Sequence, residues 1–570
     1  MIDWRKASAE LKRLQAKLYE ALKNNVNMSE IQRIHNEILT SFGARALAVR
    51  RVTSNKGGKT SGIDKVLWTR DEQKYTAIMK LGNQNWSKYK ASPVKRVWIP
   101  KAGNTSEKRP LGIPTIKDRV AQTIWNFILD VHQEHNANPR SFGFRIGRSA
   151  KQAITYAWIL TSGAGKRELL KIDIRKAYDR VNHTWLLNNV PMHKSVLREW
   201  IKTGIIDNKT IELPEMGVPQ GGPISPTIFN IVMNGVENEI LKVKQTFPIR
   251  FADDIIVFSN ERSSLEKVIK IINNFLKPRG LEINEAKTEI KPIEIGVDFL
   301  GYNIREYPDQ TRVGIKGKPH KKGIILVKPG KKQIKSFKLK IKNILKELKY
   351  VSAGRLIVKL NPIIRGWANY FNAGGGWTLA KSKLGHYIFW RLMSWITKKH
   401  RGKGLGVRVL TKKYFKDVRR RLTYRNKWTF FGMNHGKEVL LTDIQEILVT
   451  RENTLKFDPS PNPYNPADYD VMDKAMKRRI KKEILLSKLK QKLLVKQNGL
   501  CPLCGEIIDL NLEEAERDHI IPKAMDGKDT IKNTMLVHKT CHLKKSAQDR
   551  KHIAYWAKIN KNNKSGNHNE

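Results

Sequence analysis

The chain has 570 residues, more than a single hydrophobic core usually holds, so its length predicts several domains. Its 108 Lys and Arg residues against 53 Asp and Glu give a formal net charge of +55. An excess of this size along the whole chain indicates a polyanionic partner, for which nucleic acid is the simplest candidate. No apolar run approaches the ~18 residues that would predict a membrane-spanning helix, so we expect no membrane partner.

The first 25 residues predict an amphipathic helix that carries Asp3, Glu10 and Glu20. Acidic residues and the lack of an apolar segment argue against a secretory or transit signal. Residues 95–302 then alternate short β-branched stretches with helical ones, which predicts an α/β or α+β domain.

The segment from Lys316 to Lys349 holds thirteen lysines and one acid, Glu347, and its apolar residues recur at helical spacing. A second helical stretch is predicted over about 352–400, where aromatic and basic residues interleave; most of the aromatic residues are expected in the core. Four prolines between Phe457 and Asp470 predict a linker, and a charged helix is expected over about 471–496.

The stretch RFADDIIVF places Asp253 and Asp254 in an apolar strand. Two adjacent carboxylates there need a strong positive partner, typically a divalent metal, although a solvated hairpin turn is the plain alternative. Asp173 in LLKIDIRKAYD is predicted on a second strand, and the Gly- and Pro-rich loop GVPQGGPISP lies between the two. Carboxylates that converge from separate strands are what two-metal phosphoryl transfer requires.

The sequence resembles the reverse transcriptase of group II intron-encoded proteins. The resemblance rests on RVWIPKAGNTSEKRPLGIPTIKDRVAQ, SFGFRIGRSAKQA, KIDIRKAYD, GVPQGGPISP, IRFADD, EINEAKTEI and VDFLGY, which follow in the family's order. It implies a multidomain α+β fold, with the fingers and palm of a right-hand polymerase followed by a helical thumb. The family's strand-turn motif usually begins with Tyr where this chain has Phe251, a change that removes only a hydroxyl.

The resemblance implies Mg²⁺ ligands at Asp173, Asp253 and Asp254. It also implies that Tyr178 closes on the sugar of the incoming dNTP and that Gln220 touches that nucleotide. Two basic residues, Lys101 and Arg109, would grip its triphosphate. Asp179 is expected to be a structural helix cap, and Asp298 is likewise expected to be structural.

The lysine-rich helix and LNPIIRGWANYFN resemble the family's thumb, the maturase domain that binds intron RNA. Lys331, Lys332, Lys335 and Lys338 are the expected RNA-binding residues, and a basic bundle without RNA is the alternative. Residues 414–458 correspond by position and charge to the family's DNA-binding region.

Three cysteines lie between Cys501 and Cys541, and their clustering indicates a local metal site. Cys501, Cys504, His538 and Cys541 have the spacing of a structural Cys3His zinc site. The alternatives are a surface role for His538 and a zinc ribbon without catalysis.

The same segment resembles an HNH endonuclease with a ββα-metal fold. That resemblance implies that His519 is the general base, that Asp518 and His542 hold a divalent ion, and that Asn533 orients the His519 loop. Mg²⁺ is the ion expected here as well as in the palm.

Together these features predict a multifunctional group II intron-encoded protein: an RNA-directed DNA polymerase, a splicing maturase and an HNH endonuclease that act in target-primed reverse transcription. Its expected partners are group II intron RNA, target DNA and dNTPs. It is expected in a bacterial cytoplasm or nucleoid, or in an organelle that encodes it. The alternatives are a splicing maturase whose polymerase has lapsed and another reverse transcriptase lineage, such as a retron-type enzyme.

The predicted boundaries divide the chain into six parts. These are an N-terminal extension with the start of the fingers (1–90), the fingers and palm (91–305), the thumb (306–413), the DNA-binding region (414–458), a linker with a charged helix (459–497) and the HNH domain (498–570).

Overall fold

The computed structural model describes residues 2–101, 104–162, 167–207, 210–307, 323–421, 424–452, 460–481, 488–508 and 515–565. Side chains at 56, 101–107, 419–427, 481, 488 and 558–565 lie outside the described set. The predicted contact of Lys101 therefore lies outside it, as do the start of the lysine-rich segment at 316–322 and residues 457–459 of the linker. Within the described residues no helix combines the length and the apolarity needed to cross a bilayer.

The chain begins with a helical layer that packs on the long helix preceding the palm. Asp3 caps the first helix by accepting hydrogen bonds from the backbone N–H groups of Arg5 and Lys6. The buried faces of the first five of these helices share one apolar core with part of the palm. The helices are α1 (Trp4–Lys23), α2 (Met28–Thr40), α3 (Phe42–Ser54), α4 (Asp71–Gly82), α5 (Ile116–Asn136) and α6 (Ala150–Thr161).

The fingers contain a four-stranded sheet in the order β2-β1-β4-β5. Its strands are β1 (Val94–Lys101), β2 (Asn104–Ile113), β4 (Ile205–Asp207) and β5 (Thr210–Glu212). The pairs β1–β2 and β4–β5 are antiparallel, and β4 runs parallel to β1. Between the two hairpins the chain forms β3 (Glu168–Ile172), α7 (His183–Asn189) and α8 (Lys194–Lys202).

The palm sheet has the order β6-β7-β3-β8, in which β3 is central and all neighbours are antiparallel. Its remaining strands are β6 (Phe247–Phe251), β7 (Asp254–Ser259) and β8 (Glu289–Pro292). Helices α9 (Ser225–Met233), α10 (Val236–Leu241) and α11 (Arg262–Leu276) cover this sheet. The middle of β7 is fully buried, which explains its continuous apolar run.

A three-stranded sheet, β11-β10-β9, joins the palm to the thumb. Its strands are β9 (Val297–Phe299), β10 (Tyr302–Tyr307) and β11 (Ile324–Pro329). The lysine-rich segment forms α12 (Lys331–Glu347), which buries Phe337, Ile341 and Leu345.

The single helical stretch predicted over 352–400 is instead two helices, α13 (Ala353–Phe371) and α14 (Trp377–Lys399). They are separated by a glycine turn that packs against β11, where a Cβ on Gly374 would lie 1.9 Å from the Val327 carbonyl oxygen. Phe371, Trp377 and Trp395 are buried as expected, whereas Trp390 is 57% exposed.

The segment after the thumb forms α15 (Val407–Tyr414) and then an antiparallel sheet that the sequence did not reveal. This sheet consists of β12 (Phe415–Arg421), β13 (Tyr424–Asn434) and β14 (Lys437–Leu440). The charged helix predicted over 471–496 is present as α16 (Tyr469–Lys481) and α17 (Lys488–Lys496), with residues 482–487 outside the described set.

The C-terminal domain consists of an antiparallel pair and one helix, the ββα arrangement predicted for it. Strands β15 (Ala515–His519) and β16 (Thr534–His538) pair along their whole length, and α18 (Lys539–Ser565) follows directly. The multidomain α+β prediction, with a helical thumb and a small ββα domain, is confirmed.

Candidate metal sites in the palm and the C-terminal domain

The palm carboxylates come from the end of β3 and from the β6–β7 hairpin. Ile172 and Ile255 are paired across β3 and β7, so Asp173 and Asp254, one residue away from each, lie at the same end of the sheet. Asp173 is one position beyond the end of β3 rather than within a strand. Ala252 turns the hairpin with a φ of +57°, and Asp253 occupies the second turn position.

The palm carboxylates act on one another electrostatically. Burial raises the pKa of Asp254 from 3.8 to about 6, and the charges of Asp253 and Asp173 add to that effect. Burial also raises the pKa of Asp253, where the charge of Arg109 opposes it. A divalent cation would relieve this repulsion, and carboxylate oxygens are the ligands that Mg²⁺ prefers, so the donor set fits the predicted metal.

Asp173 has partners that sequence reasoning missed. Its carboxylate accepts a hydrogen bond from the Asn284 side chain at 3.0 Å and lies 3.7 Å from the Lys287 ammonium. Both residues belong to the EINEAKTEI block, and the backbone N–H of Asn284 also donates to the Asp173 carbonyl at 2.7 Å. This backbone hydrogen bond fixes the position of the Asp173 main chain, from which the carboxylate projects.

The hairpin rests on a buried ion pair that was also missed. The side chains of Arg250 and Glu237 are both 0% exposed, and Arg250 Nε lies 2.6 Å from Glu237 Oε1. Arg250 Nη1 also donates to Asn230 Oδ1 at 3.2 Å, which ties β6 to α9. An arginine inside an apolar strand was the available signal for this pair.

Two of the residues predicted to contact nucleotide, Tyr178 and Arg109, lie near the carboxylates. Tyr178 stacks on Phe229 with ring centroids 4.4 Å apart, and burial together with the Asp253 charge raises the pKa of its hydroxyl. Arg109 is exposed on β2, and its charge acts on both Asp253 and Asp254.

Asp179 lies in a short 3₁₀ turn. Contrary to the prediction, it does not cap a helix. Its Oδ1 accepts a hydrogen bond from the Gln220 side-chain amide at 2.9 Å. The loop that carries Gln220 approaches this turn closely at Gly217, which has a φ of +92°. A Cβ there would lie 2.7 Å from the Asp179 carbonyl oxygen, so the position requires glycine.

The four predicted zinc ligands lie together in the C-terminal domain. The Sγ atoms of Cys501, Cys504 and Cys541 and one ring nitrogen of His538 all lie within 4.8 Å of one another. Cys501, Cys504 and His538 are buried. Three thiols and an imidazole converging in this way match the soft donor set of a structural zinc site.

The predicted nuclease residues lie at the far end of β15 and on the first turn of α18. His519 Nε2 is 3.1 Å from Asp529 Oδ1, so its Nδ1 is the nitrogen left for another partner. His542 Nε2 lies 3.8 Å from Asp518 Oδ1, which places the two predicted metal ligands side by side. An imidazole and a carboxylate in this arrangement fit one divalent ion.

Asn533 holds the loop that follows His519. Its amide donates to the carbonyl oxygens of Ile521 and Lys528, each at 3.0 Å, and its side-chain oxygen accepts from the Ile521 N–H at 2.9 Å. This is the contact expected of a residue that orients the His519 loop.

Sequence reasoning missed two acidic partners of the histidines. Glu516 Oε2 lies 2.5 Å from His542 Nδ1, and Asp529 contacts His519. Glu516 precedes Asp518 by two positions on one strand, so the alternation of side chains was a signal that could have found it.

Four family models match the chain. Residues 1–81 match the N-terminal domain of reverse transcriptase, and residues 99–304 match the reverse transcriptase (RNA-dependent DNA polymerase). Residues 334–415 match the group II intron maturase-specific domain, and residues 501–548 match the HNH endonuclease.

Curated relatives resemble parts of the chain. The putative COX1/OXI3 intron 1 protein of Saccharomyces cerevisiae is 27% identical over 347 residues, which cover 50% of this chain and 41% of that protein. The group II intron-encoded protein LtrA of Lactococcus lactis is 29% identical over 238 residues, covering 40% of this chain and 38% of LtrA. Maturase-like protein 1 of Euglena gracilis is 25% identical over 380 residues, covering 64% of this chain and 76% of that protein.

The first two of these matches span less than half of the relative's length. The order of the four matched domains nevertheless agrees with the order of the sequence blocks and with the fold. The chain therefore carries reverse transcriptase, maturase-specific and HNH domains, and it is similar to group II intron-encoded proteins.

Proposed function

We propose that this protein binds its intron RNA to promote splicing, nicks target DNA with its HNH domain and extends the nicked strand by reverse transcription. The observation that carries the proposal is the convergence of Asp173 with Asp253 and Asp254 at one end of the palm sheet. A chain that had kept only RNA binding would not need half-buried carboxylates that repel one another.

In the palm, the chain's own groups would position the reactants. Arg109 would pair with the triphosphate, and Gln220, held by Asp179, would contact the incoming dNTP. Tyr178, supported by Phe229, would pack against the sugar. Mg²⁺ bound to the three carboxylates would neutralise them and supply the charge stabilisation that phosphoryl transfer requires.

In the HNH domain, Asp529 would hold Nε2 of His519, so that Nδ1 takes the proton from the attacking water. Glu516 would orient His542 through its Nδ1, leaving Nε2 to face Asp518. A divalent ion between Asp518 and His542 would polarise the scissile phosphate. Zn²⁺ at the Cys3His cluster would stabilise the fold without taking part in the chemistry.

The nucleic acid partners of the proposal are intron RNA, target DNA and dNTPs. The net charge of +55 and the exposed lysines on α12 support RNA binding. Residues 414–458 are proposed to contact target DNA, and the six predicted domain boundaries are kept as part of the proposal. The compartment that contains the intron, bacterial or organellar, is the proposed location.

Primer extension on an RNA template tests the proposal most directly. Asp253→Ala should reduce extension by at least about 10³-fold, because a ligand of the reacting metals is lost. RNA binding should stay unchanged. Asp298→Ala is the matched control, since Asp298 is exposed and its carboxylate bonds only Asn303 among the contacts described for it.

The same assay separates the rival function, a splicing maturase whose polymerase has lapsed. That protein would bind intron RNA but show no extension in the wild type. Extension by Asp253→Ala within a few-fold of the wild type would overturn the palm assignment.

A further inference from the structure

The zinc-ligand cluster is covered by the N-terminal domain, at the opposite end of the sequence. Arg5 on α1 donates from Nε to the carbonyl oxygen of Pro502 at 2.9 Å. Gly505 lies against the same helix, where a Cβ would be 3.4 Å from the Cβ of Ser8. The turn between the first two cysteine ligands therefore packs on α1.

Arg50 on α3 reaches the cluster itself. Its side chain is 10% exposed, and its Nη2 donates to the Sγ of Cys541 at 3.0 Å. The guanidinium carbon lies 4.7 Å from the centre of the Trp4 ring. Nε is 3.9 Å from Glu506 Oε2, at the outer limit of an ion pair.

The contacts of Arg50 leave one donor unused. Within the residues that the structure describes, the buried Nη1 of Arg50 has no hydrogen-bond partner. Burying a guanidinium is costly unless an anion faces it. The Glu506 carboxylate lies only at the outer limit of an ion pair, so it meets this need in part.

A metal-loaded cluster would supply further negative charge. A divalent zinc ion with three thiolates and a neutral imidazole carries a net charge of about −1. We propose that Arg50 is the counter-charge of the zinc centre, and that it couples zinc binding to the docking of the HNH domain on the N-terminal domain.

This inference rests on the proposed zinc site and adds a consequence to it. Because coupling between two binding events is reciprocal, docking on α1 and α3 tightens zinc binding to the same degree that zinc tightens docking. The N-terminal domain of the polymerase thereby distinguishes a metal-loaded endonuclease domain from an empty one. Trp4 completes the contact, since its ring covers the guanidinium.

The test uses the full chain and four proteins: the wild type, Arg50→Met, Arg50→Lys and the control Arg13→Met. Arg13 is an exposed arginine on α1. The first measurement is zinc per chain and the rate of zinc transfer to a chelating dye. Arg50→Met should lose zinc about tenfold faster, as expected for the loss of a partner of a metal ligand. Arg50→Lys should be intermediate, and Arg13→Met should match the wild type.

The second measurement is hydrogen exchange in residues 4–12 and 500–506. Arg50→Met should raise exchange in both segments, while α5 keeps its protection and so reports that the N-terminal domain is folded. Stripping zinc from the wild type should raise exchange in residues 4–12 without any mutation. This arm does not depend on how well a variant folds.

The outcomes separate the two proposals. A wild-type chain without stoichiometric zinc would overturn the zinc site and the coupling together. A zinc-loaded wild type whose zinc release matches that of Arg50→Met within twofold would overturn the coupling alone. Unchanged exchange in residues 4–12 after zinc removal would likewise show that docking does not depend on the metal.

Discussion

The carboxylates of the palm come from residues 173–254 and lie at one end of a buried sheet. The cysteines and histidines of the C-terminal domain come from residues 501–542. The palm sheet shares its core with many helices. The apolar core around the cysteine ligands has nine buried residues in the part of the chain that the structure describes; two are cysteine ligands, and three lie on α16 and α17, before the C-terminal domain. We therefore expect the palm to hold its carboxylates in place without metal, and the smaller domain to need the proposed zinc ion as part of its fold.

The largest effect that would sharpen this comparison is the loss of the zinc site. Cys504→Ser should remove zinc, unfold residues 501–548 and abolish DNA nicking, because so small a core cannot replace the metal. Primer extension should remain within twofold of the wild type. Metal analysis and hydrogen exchange measure the first two effects, and Asp253→Ala should show the opposite pattern. If the C-terminal domain stayed folded without zinc, the two regions would not differ in their need for metal.

The next effect separates chemistry from folding within the C-terminal domain. His519→Ala should lower the rate of nicking by about 10²- to 10⁴-fold, the usual contribution of a general base. Zinc content should not change, because His519 is not among the four clustered ligands. Asp529→Asn should lower the nicking rate less, since it would only weaken the contact that positions the His519 ring. Release of zinc by His519→Ala would contradict the division between base and ligands.

The raised pKa of Asp254 should make the stability of the folded chain depend on pH. Asp254 has a pKa raised to about 6, so the folded chain binds a proton more readily than the unfolded chain between about pH 4 and 6. Without divalent metal, stability should therefore fall as the pH rises through this window. Relative to Asp254→Asn, the wild type should lose on the order of 2–3 kcal/mol by pH 7.

Thermal melts of the two proteins from pH 4 to 7, with and without Mg²⁺, measure this difference. Mg²⁺ should restore much of the lost stability in the wild type only. A difference between the two proteins that stays constant with pH would show that neither burial nor the neighbouring carboxylates raise the pKa of Asp254.

The smallest expected effect concerns RNA binding by the thumb. Lys331, Lys332 and Lys335 are exposed on α12, whereas Lys338 is half-buried with its Nζ 5.0 Å from the centre of the Tyr387 ring. Changing the three exposed lysines to Gln should weaken intron binding about tenfold and reduce the slope of log affinity against log salt by about 2. Lys338→Gln should change the slope less. Equal slopes for all variants would indicate that these lysines only solubilise the helix.

The two regions also differ in what their sequences reveal. The catalytic blocks and the cysteine spacing are local patterns, so their residues could be named from the sequence, and the structure places them together. The supports of the palm come from elsewhere in the chain. Neither the tie from Asn284 to Asp173 nor the ion pair of Arg250 with Glu237 follows from any local periodicity.

The missed elements have similar causes. The sheet β12-β13-β14 was not predicted, because its strands are basic and show no clean alternation; β13 and β14 instead pack on α13. The break between α13 and α14 depends on how closely Gly374 approaches Val327, a contact between segments that are far apart in the sequence. The docking of α1 on the zinc-ligand turn is likewise a long-range contact.

Arg50 and Cys541 are in contact but lie 491 positions apart in the sequence, so the two partners are synthesised at different times. The N-terminal helices leave the ribosome long before the cysteines that cover them. At typical elongation rates of about 5–20 residues per second, the interval is roughly 25–100 s. We therefore expect Trp4 and Arg50 to face solvent on the nascent chain until the HNH domain has been made, while α1 already packs on α3.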